Sequence, residues 1–105
     1  MKEKKRYINY HVHSPATLQP GDIARAVSTT LATYLGELGY GAAGIQLVAT
    51  TPTGGIIKTS HTSVDQVKSG LLMITNINEQ PALAHSTNVS GILNKAQGGA
   101  RHATR

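Results

Sequence analysis

The sequence predicts an α+β fold in which an antiparallel sheet of four strands is backed by two helices. Three observations carry this. Residues 7–13 alternate between apolar and polar side chains. Residues 23–38 repeat apolar side chains at helical spacing. A further strand–strand–helix–strand succession follows that first strand–helix pair. At 105 residues the chain has room for one core between two layers.

The elements read as follows. In the first strand Ile8, Tyr10 and Val12 share one face, while Tyr7, Asn9, His11 and His13 share the other. Pro15, Pro20 and Gly21 then mark a loop, and Asp22 reads as the cap of a helix. Ile23, Ala26, Val27, Leu31, Tyr34, Leu35 and Leu38 form one apolar stripe, and Gly39 falls where a C-terminal cap belongs. Residues 44–50 and 56–60 read as two strands joined by a turn at 51–55, a hairpin. Ser63-Val64-Asp65-Gln66 has the spacing of a capping box, opening a helix that buries Val64, Val67, Leu71 and Ile74. Residues 80–85 read as a fourth strand, placed at an edge by Pro81. Residues 90–96 read as a short final helix and 98–105 as a flexible basic tail, so that one domain spans 1–97.

This β-α-β-β-α-β order is the ferredoxin-like split βαβ arrangement, with strands in the spatial order 4-1-3-2. In that order the start of the first strand lies beside the ends of the third and fourth.

Charge gives this geometry its interest. The formal net charge is +5, with a pI of about 9.8. Residues 1–6 carry Lys2, Lys4, Lys5 and Arg6 against Glu3, a net +3. Residues 91–105 carry Lys95, Arg101 and Arg105 with no acid, another +3, and the stretch between them nets −1. Strand order gathers Lys4, Lys5 and Arg6 with Lys58 and His61 at one pole, and brings the chain leaving Ser90 and Gly91 past it toward Lys95 and Arg101. Helix N-termini expected at Ser63 and at Ser90-Gly91 would add free N–H groups there. A polyanion is the partner such a pole fits, since Lys and Arg release counterions from phosphates. With four Tyr and no Phe or Trp the chain is poor in base-stacking rings, which favours contact with the backbone and shape of structured RNA.

Other chemistries find little support. The chain has no Cys, which removes disulfides and thiolate metal sites and fits a reducing, cytoplasmic setting. No apolar run is long enough to span a bilayer, and no signal-peptide core follows the basic start. His11 and His13 share a strand face that His85 can reach, a set able to ligate zinc, but polar residues on an open face, or hydrogen bonds to RNA, explain them better. Asp22 and Asp65 suit first helical turns; Glu37 and Glu79 suit solvated helix ends; no pair is spaced as a general acid and base. Gly36, Gly39, Gly41 and Gly44 lack the strand-before, helix-after setting of a dinucleotide loop and read as helix stop and turn. No catalytic, metal or cofactor site is expected in the protein itself.

Several segments together resemble the archaeal ribonuclease P protein component 2 family. They are Lys5-Arg6-Tyr7-Ile8, Gly36-Glu37-Leu38-Gly39, Gly55-Ile56-Ile57-Lys58, Ser63-Val64-Asp65-Gln66-Val67-Lys68, Leu71-Leu72-Met73-Ile74-Thr75 and Val89-Ser90-Gly91. No one of them is specific; their order and spacing over about residues 4–97 are. Ile92 departs from the Thr usual after Val-Ser-Gly, and Gly70 stands where Ala is commoner. The resemblance implies a ferredoxin-like subunit of an enzyme whose RNA, with magnesium, removes 5′ leaders from precursor tRNA. It implies ribonuclease P RNA, ribonuclease P protein component 3 and other ribonuclease P subunits as partners, and a contact between two copies of the chain. Precursor tRNA would be met indirectly. Lys5, Arg6, Lys58 and Ser90-Gly91 match family positions facing RNA. The competing expectations are an oligomeric ferredoxin-like domain that binds a regulatory ligand, and a histidine-based metalloenzyme.

Overall fold

The computed structural model describes residues 4–91. Its elements are β1 (Lys5–His13), α1 (Pro20–Ala43), β2 (Gln46–Thr51), β3 (Gly54–Ser60), α2 (Val64–Leu71), β4 (Asn76–Ile77), β5 (Gln80–Pro81) and β6 (Leu83–Ser90), with a 3-10 turn at His61–Ser63 between β3 and α2. The main sheet runs β2-β3-β1-β6, and each neighbouring pair is antiparallel. Taking β6 as the fourth long strand, this is the expected 4-1-3-2 order of a ferredoxin-like fold.

The alternation in β1 does what its period requires. Ile8, Tyr10 and Val12 are buried against Ile23, Val27 and Leu31 of α1 and Val67 and Leu71 of α2. Each such aliphatic side chain contributes about 1.5–3 kcal/mol when fully buried. Burial also pushes the Tyr10 phenol up to about 12, because the charged form loses its water. The opposite sheet face is not uniformly open: Asn9 and Ile56 at its centre are both 5% exposed.

Several boundaries differ from the sequence reading. Gln19 occupies the cap of α1 and Pro20 opens it, leaving Asp22 inside the first turn, where its carboxylate meets Arg25 at 3.7 Å. Helix signal continues past Gly39, but Gly36 interrupts it with φ 77° and ψ 169°, and the left-handed Gly44 closes it. Beyond the kink the stripe loses the core, so Leu38 is 89% exposed. Ser63 makes no capping hydrogen bond; Ser60 Oγ instead accepts from the Thr62 N–H, because the chain enters α2 through a 3-10 turn. α2 ends at Leu71, and Ile74 is buried after it in irregular chain.

The fourth strand is displaced. Gln80 and Pro81 pair with Asn76 and Ile77 in a separate small hairpin, turned at Asn78 and Glu79 with both φ values positive. The edge strand of the main sheet is Leu83–Ser90, so Ser90 is the last residue of a strand. Residues 92–96 of the expected final helix and the expected tail 98–105 lie outside the described residues.

Candidate nucleic-acid interface

The register of β1 decides which cations meet. Lys5 pairs with Ser60, Arg6 with Thr59 and Tyr7 with Lys58 on one side; Tyr7 pairs with Ser90 on the other. Lys58 therefore shares the face of Tyr7, opposite to the helices. His61 follows directly, and its backbone N–H donates to the Lys4 carbonyl at 2.9 Å while its Nδ1 lies 3.1 Å from the same oxygen. Lys4, Lys5, Arg6, Lys58 and His61 are thus brought together from two strands and a turn.

Two of these side chains are tied down. Arg6 Nη1 donates to the Lys5 carbonyl at 2.9 Å and stands 3.5 Å from where a Cβ on Gly91 would be. Lys5 Nζ stands 3.3 Å from the corresponding point on Gly44, the residue that closes α1. A cation there is favoured by the negative end of the helix dipole. Lys4 and His61 are exposed, and Lys5, Arg6 and Lys58 half-buried. The pole is therefore a shaped set of donors held at the strand ends.

Ser90 and Gly91 do arrive at this pole, Ser90 as the last residue of β6. Ser90 is 8% exposed, closed off by its place in the sheet. Lys95 and Arg101 lie outside the described residues.

At the other end of β1, His11, His13 and His85 come together, with His11 paired directly to His85. Sequence reasoning found this cluster but left its use open. Among the described residues no group of three His, Cys, Asp or Glu side chains is arranged to hold a metal ion. No described helix is long and apolar enough to cross a membrane.

The fold is a ferredoxin-like sheet with cations from β1, β3 and the following turn at one strand pole. In fold the chain is similar to a chain in the cryo-EM structure of yeast ribonuclease MRP, with a TM-score of 0.65 over 99% of this chain and 96% of that one. At 12% identity that likeness concerns the fold alone. In sequence it is similar to the ribonuclease P protein component 2 of Methanosarcina mazei, 30% identical over 91% of this chain and 83% of the relative. The protein of that name from Methanocaldococcus jannaschii is 30% identical over 92% of this chain and 72% of its own. The chain belongs to the Rpp14/Pop5 family, whose model matches residues 6–101.

Proposed function

We propose that this chain is a non-catalytic protein subunit of ribonuclease P, which binds the enzyme's RNA and supports removal of 5′ leaders from precursor tRNA. One observation carries the reading: in a member of the Rpp14/Pop5 family, strand register joins Lys4, Lys5, Arg6, Lys58 and His61 into one cationic pole. Lys95 and Arg101 belong to the same RNA-facing set in this reading, as does the Ser90-Gly91 exit. The pole supplies donors and positive charge but no paired acid and base, so the chemistry rests with the RNA and its magnesium.

The partners are ribonuclease P RNA, ribonuclease P protein component 3 and the other protein subunits, with precursor tRNA met through them, in the cytoplasm. Reconstitution tests this. The purified chain alone should cleave nothing. Together with component 3 it should raise cleavage of precursor tRNA by the RNA at low magnesium. An unchanged rate sinks the proposal, and a small metabolite that raises the melting temperature of a chain without RNA affinity would replace it with the ligand-binding reading.

A further inference from the structure

The imidazole cluster lies at the far end of β1 from the basic pole, eight residues from Lys5 and so about 26 Å away at ordinary strand rise. His11 and His85 are direct partners in the ladder, and His13 follows two residues on, so all three side chains leave the same sheet face. The His13 and His85 rings are stacked, their centroids 4.9 Å apart and their planes within 5°. His11 stands 4.3 Å from His13 and 6.1 Å from His85. His13 is exposed and the other two are half-buried.

The surroundings leave the cluster short of anions. Burial lowers the His11 pKa, and charge on His13 and His85 lowers it further. Across from His11 on β3 stands Gly54, without a side chain. Asp65 and Lys68 of α2 border His85 around the edge of β6, in a groove of about 320 Å³, with opposite charges. On the other flank His11 and His13 open onto a groove of about 560 Å³ lined also by Pro15, Pro81 and Leu83. That size is within the range of small-ligand sites. Leu83 is 64% exposed there, an apolar surface without a described cover.

We propose that this end of the sheet is a second RNA contact, where His11, His13 and His85 hold a phosphate whose unpaired nucleotide lies against Pro15, Pro81 and Leu83. Imidazolium N–H groups donate to the phosphate oxygens, and the anion offsets the burial and repulsion that lower the His11 pKa. Binding therefore takes up protons, and affinity rises as pH falls. His61 is the imidazole of the basic pole, so a variant at that position distinguishes the two sites. The inference rests on the RNA-binding reading above.

Binding of ribonuclease P RNA at pH 7.5 and 5.5, at constant salt, tests it. The wild-type chain should bind about five- to tenfold more tightly at pH 5.5, the gain expected when a bound phosphate raises one imidazole by close to a pKa unit. A His11→Gln/His13→Gln/His85→Gln variant should bind no more tightly than the wild type at pH 7.5 and should lose most of that gain. A variant that keeps the gain, or a His61→Gln variant that loses all of it, overturns the inference. If Lys58→Ala weakens binding at both pH values while the triple variant keeps the gain, only this inference fails. RNA that binds no form of the protein removes both readings. Independently, uridine 5′-monophosphate at pH 6 should shift the ring-proton resonances of the three histidines more than inorganic phosphate does. Equal shifts overturn the groove's part, and no shift overturns the site.

Discussion

A methyl group on Gly70 would stand 2.7 Å from Leu31 Cδ2, and 3.2 Å from Tyr34 Cδ2. Gly70 lies in α2 and Leu31 in α1, so this missing side chain sets how closely the two helices pack over the sheet. By helix propensity alone Gly70→Ala should gain about 1 kcal/mol. Leu31 is fully buried, and overpacking of that kind costs about 1–3 kcal/mol. The clash should win, leaving Gly70→Ala less stable by about 1 kcal/mol in urea unfolding. A higher urea midpoint would show that the helices can part without cost.

Gly36 is the kink of α1, at φ 77° and ψ 169°, a region that residues with a Cβ enter only under strain. Gly36→Ala should cost about 1–3 kcal/mol. Because Ala favours continuing the helix, residues 37–43 should also swing from their present path. Gly44 would then lose its place beside Lys5 Nζ, and with it part of the basic pole's geometry. Thermal unfolding reads the first effect and RNA affinity the second. An unaltered melting temperature would mean that the kink is not held by the rest of the fold.

That kink shows where legibility in the sequence stops. Ile8, Tyr10 and Val12 were readable as a strand, and Ile23, Val27 and Leu31 as a helix, because one-sided burial leaves a period. Gly36 and Gly39 leave no such trace: a glycine that ends a helix and one that bends it are the same letter. Ser63 had a capping box's spacing, yet the tighter 3-10 turn at His61–Ser63 gave the capping role to Ser60. Ser86, Thr87 and Asn88 hid the length of β6, because an edge strand carries polar side chains and this one contains a bulge opposite Asn9 and Tyr10. The cations at the strand ends were legible through strand order, since Lys58 and Arg6 are remote in sequence and come to neighbouring rungs only by register. Ser90's burial was not, because it follows from where β6 ends.

Glu79 sits at φ 67° in the two-residue turn between β4 and β5, beside Asn78 at φ 52°. Two positive φ values are the pattern of a type I′ hairpin turn, for which Asn-Gly is the favoured pair. A side chain in that conformation costs about 1–2 kcal/mol, partly offset because Gly also gives the unfolded chain more freedom. Glu79→Gly should therefore raise the urea midpoint, by about 0.5–1 kcal/mol of stability. Glu79 is exposed, so little packing is lost. A lower midpoint would mean that the carboxylate has a role the turn geometry does not show.

His11 makes stability depend on pH in a direction that can be worked out. Its folded pKa lies below the ordinary 6.5, chiefly through burial and then through His13 and His85. The unfolded chain therefore binds more protons in this window than the folded one, and stability rises with pH. Acidifying from above 6.5 should lower the melting temperature progressively, until pH falls below the folded pKa. His11→Gln should flatten that part of the profile. A profile as steep as the wild type's would place the acid sensitivity elsewhere.

Salt dependence checks the basic pole. Each phosphate contact contributes close to one unit to the slope of log affinity against log salt, about 0.7 on single strands and 0.9 on duplex. Arg6 and Lys58 stand on neighbouring rungs of the β1–β3 ladder and leave opposite sheet faces, whereas Lys5 Nζ also lies beside Gly44 at the end of α1. Arg6→Ala and Lys58→Ala should each lower the slope by about one unit. Lys5→Ala should lower it too, and should in addition reduce stability, because the helix end loses its cation. Filter-binding of ribonuclease P RNA across a salt series reads the slopes, and thermal unfolding separates Lys5 from the other two. Slopes that stay at the wild-type value would place the RNA on another face of the sheet.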